Sequence, residues 1–368
     1  MAIWSRGTTT LLTAVVGAVA LWCAAWGPAA STAASVPAQF HGVSLQNHLD
    51  TEEVDRLENA DVGVARFLVS WQATEPRPGV FDWTSMDTYL EGIERSGAKP
   101  LPFIAAIPDW VQTDSSGDPM STVSARNAWR DFMVAMVDRY GPKDEYDPYA
   151  PDTVRVKTWQ IWNEPNLNSL WGGTADPASY ARMVEIASDV IREGDPEAEI
   201  MLAGLAPAQR SIRPWTFMRE LLASLDTSTF DTAALHPYAE KQKGVNQQVK
   251  RVRKAMNAGG ADAMPLALTE FGWSSSRRVI SSQAGTPKRQ ARHVTDAYRT
   301  FARNKSWNLS EALWYSLRDS RNPPKACGFC TTSGLLRAGG KPKPAWKAFK
   351  RSIRKLESTE TGYDPYQP

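Results

Sequence analysis

Eight short apolar runs, each followed by a helical pattern, dominate the chain from Gly42 onward. The runs are Gly42–Leu45, Gly63–Val69, Pro100–Ala105, Val154–Trp162, Ile200–Gly204, Thr232–Leu235, Pro265–Thr269 and Glu311–Ser316. Between them, apolar side chains recur at helical spacing. Trp129, Phe132, Met133, Met136, Val137 and Tyr140 fall on one face, as do Tyr180, Met183, Val184, Ala187, Val190 and Ile191. Asp176-Pro177 and Thr286-Pro287 each pair an N-cap residue with a proline at the first helical position, and Pro344 opens the last helix, Ala345 to Lys355. Strict βα alternation makes a parallel sheet, and eight units close it into a (β/α)₈ TIM barrel. A doubly wound open sheet is the competing architecture. His41-Gly42-Val43-Ser44, after which its glycine-rich phosphate loop would follow, lacks that pattern.

At 368 residues, the chain is long enough for one such barrel with its loops. The 42 Lys+Arg nearly balance the 40 Asp+Glu, which speaks against nucleic acid as a partner, because phosphate binding needs a basic surplus. Residues 1–38 carry one charge, Arg6, then an apolar run from Leu11 to Trp26 and a small-residue stretch. That is the order of an export signal, with Ser31-Thr32-Ala33 and Val36-Pro37-Ala38 as cleavage contexts. The run is short for a membrane span, and an uncleaved anchor is the alternative. The membrane is a partner only in that case. The expected organisation is a signal at 1–38, a catalytic barrel at 39–357 and a loose tail at 358–368. Cys327 and Cys330 form a C-x-x-C in a polar loop, and no second Cys pair completes a zinc site. In an oxidising compartment a loop-closing disulfide is the expected state.

In a parallel barrel, functional groups sit where strands end and loops begin. The fourth run ends Gln160-Ile161-Trp162-Asn163-Glu164-Pro165-Asn166, and the seventh ends Leu268-Thr269-Glu270-Phe271-Gly272-Trp273. Three units separate the two carboxylates, so Glu164 and Glu270 face each other across the mouth. Two opposed carboxylates are what glycosidic cleavage requires: one protonates the leaving oxygen, the other attacks the anomeric carbon or activates water. Either residue alone could instead be a helix N-terminal charge. Trp162 and Glu164 fall on one side of the strand if it extends that far, placing apolar surface from Trp159 and Trp162 beside the acid.

These strand ends resemble the clan A glycoside hydrolases. The likeness rests on Asn163-Glu164-Pro165, Glu270, His236-Pro237-Tyr238, Leu313-Trp314-Tyr315 and Ala65-Arg66-Phe67, and extends over roughly Phe40 to Arg354. Thr269 to Ser274 is most similar to family 39 enzymes, with family 5 also in view. The resemblance implies Glu164 as acid/base and Glu270 as nucleophile, with retention of configuration. It implies that Asn163 donates to a sugar hydroxyl, that Tyr238 orients Glu270, and that His236 lines the same pocket. Arg66 would stand behind Glu270, and Trp314 would floor the subsite at the scissile bond. Trp71, Trp110, Trp171 and Trp273 follow strand ends and are candidate stacking platforms for a polysaccharide or oligosaccharide. His48 also lies close enough in sequence to the first strand end to reach a sugar. No metal or organic cofactor is implied. A transglycosidase and a noncatalytic sugar-binding barrel remain the alternatives to a hydrolase.

Overall fold

The computed structural model describes residues 37, 39–46, 49–142, 153–207, 211–321 and 327–360, with side chains through 355. Nearly all of the expected export signal, His48 and residues 361–368 of the expected tail lie outside the described residues.

Eight parallel strands close into a barrel in sequence order, β8 returning to pair with β1. They are β1 (His41–Ser44), β2 (Val64–Ser70), β3 (Lys99–Ala105), β4 (Thr158–Ile161), β5 (Glu199–Leu205), β6 (Thr232–Leu235), β7 (Leu266–Phe271) and β8 (Leu309–Tyr315). Helices α1 (Thr51–Glu58), α2 (Trp71–Thr74), α3 (Thr84–Arg95), α4 (Val123–Tyr140) and α5 (Asn168–Trp171) occupy the connections of the first half. Next come α6 (Pro177–Gly194), α7 (Pro214–Leu221), α8 (Gln242–Ala258), α9 (Pro287–Arg303) and α10 (Pro344–Glu360). The eight-unit expectation is met, and the open sheet is excluded by the β1–β8 ladder.

Local chemistry explains where the helices start. Asp176 accepts from the Ala178 amide with Pro177 at the first helical position, and Thr286 accepts from the Arg289 amide ahead of Pro287. Asp50 and Glu53 form a reciprocal capping box on α1. The apolar faces expected on α4 and α6 are the buried ones. The last helix runs on to Glu360, past the expected start of the tail at Ser358, because no Gly or Pro interrupts the chain before Gly362.

Burial separates two layers. Val64, Leu101, Met201, Ala234, Ala267 and Leu313 fill the barrel interior, and a larger cluster lies between strands and helices. Strand alternation assigns each residue to one layer or the other. On β2, Val64 and Arg66 point inward while Ala65 and Phe67 join the helix side. Among the described residues, no helix is long and apolar enough to cross a membrane.

Candidate active site

Arg66 is the centre of the mouth. It is fully buried, and its guanidinium lies 3.7 Å from the Phe103 ring centroid. Its fork donates to four acceptors: Gln160 Oε1 at 2.6 Å, Ser44 Oγ at 3.2 Å, Glu270 Oε1 at 2.6 Å and Asn163 Oδ1 at 2.7 Å. Because Arg only donates, it also fixes the orientation of both amides. Asn163 therefore turns its NH₂ away from Arg66. Burial pulls Arg66 below its ordinary pKa, and the Glu270 and Glu164 carboxylates pull it back up.

Glu270 takes its second hydrogen bond from the Tyr238 hydroxyl, 2.6 Å from Oε2. Burial and then the Glu270 charge push the Tyr238 phenol well above 10, so it remains a donor. Both oxygens of Glu270 thus meet donors, one of them cationic.

Glu164 is placed differently. Its Oε1 lies 2.7 Å from His236 Nδ1, and its amide donates to Gly204 O at 3.2 Å. Burial raises its pKa to about 7, with Arg66 opposing. His236 is buried, and desolvation first, with some help from Arg66, lowers it to about 3 despite Glu270, so the imidazole is neutral. It packs against Gly204, where a Cβ would overlap the ring; only glycine fits there. Neighbouring oxygens of Glu164 and Glu270 and a ring nitrogen of His236 lie within 4.8 Å of one another. These three could offer ligands to a metal ion, but Glu270 is already bonded to a guanidinium and a phenol. The donor set fits a working carboxylate pair better.

The family described as "Glycosyl hydrolase catalytic core" matches residues 150–344, just over half of the chain. The chain belongs to this family. A β-xylosidase of Geobacillus stearothermophilus is 23% identical over 239 residues, 61% of this chain and 45% of that enzyme. A family 39 glycoside hydrolase from Bacteroides cellulosilyticus WH2 superposes with a TM-score of 0.65 at 19% identity, covering 87% of this chain and 64% of that one. A monomeric β-xylosidase from Caulobacter crescentus CB15 gives 0.60 at 20%, covering 86% and 68%. The chain thus spans under half the length of its xylosidase relative and about two thirds of these structures. The clan A, family 39-like resemblance expected from the strand ends is met.

Within this glycosyl hydrolase core, the structure gathers Arg66, Asn163, Glu164, His236, Tyr238 and Glu270, all singled out from the sequence. It buries Trp314, Trp273, Trp171 and Trp71 in the helix-side core rather than opening them to the cleft. Trp314 points to the helix side, packing on Phe271 and Trp273 and donating to Ser333 O. The pleat explains this: Leu313 fills the interior, so Trp314 must face out, and Tyr315 turns inward toward Tyr238. Tyr315, not Trp314, stands beside the carboxylates, whose charges help to raise its pKa. Trp273 is buried, stacked on His293 at 4.2 Å and bonded to Glu240 O. The stacking also half-buries His293. Trp171 is buried between Trp162 and Tyr180, and Trp71 is buried against Trp129 and Phe132. Trp110 is only partly buried, packing edge-on to Trp71.

Trp162 and Glu164 do not share a strand face either. β4 ends at Ile161, and both residues take positive φ, 72° and 48°. This turn sends the Trp162 ring into the helix-side core with Trp129 and Trp171 while Glu164 stays at the mouth. Non-glycine residues avoid this conformation, so local strain accompanies the placement of Glu164.

Cys327 and Cys330 are joined. Their loop lays Phe329 5.1 Å from the Tyr238 ring centroid and 6.3 Å from that of Tyr315. Phe329, Tyr315, Ser44, Gln160 and Thr269 were not anticipated. A polar Gln160 inside an apolar strand was the available signal.

Proposed function

We propose that this protein is an exported retaining glycoside hydrolase, with Glu164 as acid/base and Glu270 as nucleophile. The carboxylate pair at the mouth carries the reading. One oxygen of each lies within 4.8 Å of one of the other, in keeping with retaining enzymes, which hold their carboxyl groups ~5–5.5 Å apart where inverting ones hold them ~6.5–9.5 Å apart. Their environments also differ in the required sense. Glu270 is held by a guanidinium and a phenol, both donors, while burial keeps Glu164 protonated up to about pH 7.

In the first step, a Glu270 oxygen bonds to the anomeric carbon as the glycosidic C–O bond breaks and Glu164 gives its proton to the departing oxygen. In the second, Glu164 takes a proton from water as that water displaces Glu270 from the same carbon. The sugar is released, Glu270 regains its charge and Glu164 its proton. Asn163, held by Arg66 through its oxygen, turns its NH₂ toward the sugar, where a hydrogen bond that tightens in the transition state lowers the barrier.

The xylosidase relatives make β-xylosides the first substrates to try, on aryl and oligosaccharide aglycones. Release of reducing ends that stops in both Glu164→Gln and Glu270→Gln supports the reading. Turnover that survives both substitutions overturns it. For wild type, kcat should fall as pH rises through about 7, where Glu164 loses the proton it must donate. Export rests on residues 1–38; a secreted form beginning near Gln39, read by mass, is the expected product.

A further inference from the structure

Four fully buried groups, Arg66, Gln160, Thr269 and His236, run from the back of the site to Glu164, and their hydrogen-bond directions admit one assignment. Arg66 Nε can only donate, so the atom it meets at 2.6 Å is Gln160 Oε1. Gln160 Nε2 must then be the donor to Leu202 O at 3.1 Å and to Thr269 Oγ1 at 3.3 Å. Besides Gln160, the one partner of Thr269 Oγ1 among the described residues is His236 Nε2, at 3.0 Å. If Nε2 carried a proton, the Thr269 hydroxyl hydrogen would be buried with no acceptor. If Nε2 is bare, the hydroxyl donates to it and every group is satisfied. The ring's one proton then sits on Nδ1 and points at Glu164 Oε1, 2.7 Å away.

This direction reaches the reacting proton. An oxygen that accepts from Nδ1–H is not the one that carries the acid's hydrogen. No described residue hydrogen-bonds Glu164 Oε2, and the side chain keeps 12% of its surface exposed. We propose that Gln160 and Thr269 are positioning residues that hold His236 as its Nδ1–H tautomer and so confine the exchangeable proton of Glu164 to Oε2, open toward the leaving group. The statement about the leaving group rests on the function proposed above; the tautomer does not. Thr269 owes its placement to an irregular strand. β7 shifts register between Leu268 and Phe271, which lets Thr269 and Glu270 both turn toward the mouth although they are adjacent in sequence.

The other titrating or charged groups around this contact are Arg66 on β2, Glu270 on β7, Tyr238 after β6 and Tyr315 on β8. None of them offers an acceptor to His236 Nε2. Without the Thr269 hydroxyl, the ring would follow Glu164: Nδ1–H when the carboxylate is ionised, Nε2–H when the acid can donate to Nδ1.

Nitrogen-15 NMR of histidine-labelled protein tests this directly and needs no substrate. In wild type, His236 should show a protonated Nδ1 and a bare Nε2 on both sides of the Glu164 titration. Thr269→Ser should preserve that pattern. In Thr269→Val the tautomer should change with pH, the alkaline limb of kcat should move up because the neutral acid gains a partner, and kcat on a poor leaving group should drop about tenfold with KM unchanged. A protonated Nε2 in wild type, or a pH-independent tautomer and unmoved alkaline limb in Thr269→Val, would overturn the proposal. A protein that cleaves no glycoside but shows the wild-type tautomer pattern would defeat the proposed function while leaving the assignment standing.

Discussion

The two ends of the barrel carry similar ingredients to different effect. At the mouth are Glu164, Glu270 and Arg66. At the floor, where the strands begin, are Glu311, Glu199 and Lys99. In each set one carboxylate is held by the cation, and burial lifts the other to about 7. At the floor, Glu199 bonds Lys99, Thr158 and Thr232, and these lower its pKa against the pull of burial. Glu311 Oε1 has no hydrogen-bond partner among the described residues. At the mouth, Arg66, Glu270, Tyr238 and His236 are tied by directed hydrogen bonds, while Glu164 Oε2 and the Asn163 NH₂ meet no partner among the described residues and remain for a substrate. A carboxylate raised by burial beside a cation-bound one therefore does not by itself mark a site in this fold. What distinguishes the mouth is an untied reacting atom within a rigid set of donors.

The same substitution made at both ends should separate them most widely. Glu164→Gln should cost about 10²–10⁴ in kcat on a poor leaving group, since it removes the proposed acid. Glu311→Gln should leave kcat and KM alone. Equal losses would mean that the floor takes part in the chemistry.

Removing the cations comes next. Arg66→Met strands a buried Glu270 and should destabilise the fold by about 3–5 kcal/mol. Lys99→Met breaks a pair whose side chains are 21% and 31% exposed, and should cost no more than about 1 kcal/mol. Chemical denaturation of the two variants reads the difference.

The third effect depends on pH. With a folded pKa raised to about 7, Glu311 binds its proton more tightly in the native state. Its stabilising contribution is complete at acid pH and is lost as pH rises through about 7. Glu311→Gln should therefore be more stable than the parent at alkaline pH, by up to about 3 kcal/mol, and the gain should vanish in acid. Glu164→Gln should show the same alkaline gain together with its loss of activity. A gain that persists in acid would assign it to packing instead.

The smallest effect concerns the disulfide loop. Phe329→Ala, or reduction of Cys327–Cys330, removes an aromatic wall beside Tyr238 and should raise KM about three- to tenfold with little change in kcat. An unchanged KM in both would place that loop outside the substrate's reach.

Much of this was legible in the sequence because it depends on local chemistry. Apolar runs, N-caps at Asp176 and Thr286, and chemistry-bearing residues at strand ends need only composition and spacing. The tryptophans misled because type says nothing about direction. Trp314 is one residue out of phase with the interior, and Trp162 is turned away by a positive φ that neighbouring residues do not announce. Gln160 and Thr269 stayed hidden for the same reason. One reads as an isolated polar residue and the other as an ordinary β-former, until the register shift in β7 brings Thr269 between Gln160 and His236.

Barrel closure sets the order in which this protein comes into being. β1 finds its second neighbour only in β8, and the Phe40 carbonyl waits for the Ala312 amide. During synthesis the first strand leaves the ribosome long before that partner exists. The groups from β2, β4, β6 and β7 are thus present on a nascent chain that cannot yet hold them in register. The active mouth should appear late and all at once, and a nascent chain stopped before β8 should contain all six site residues yet do no chemistry.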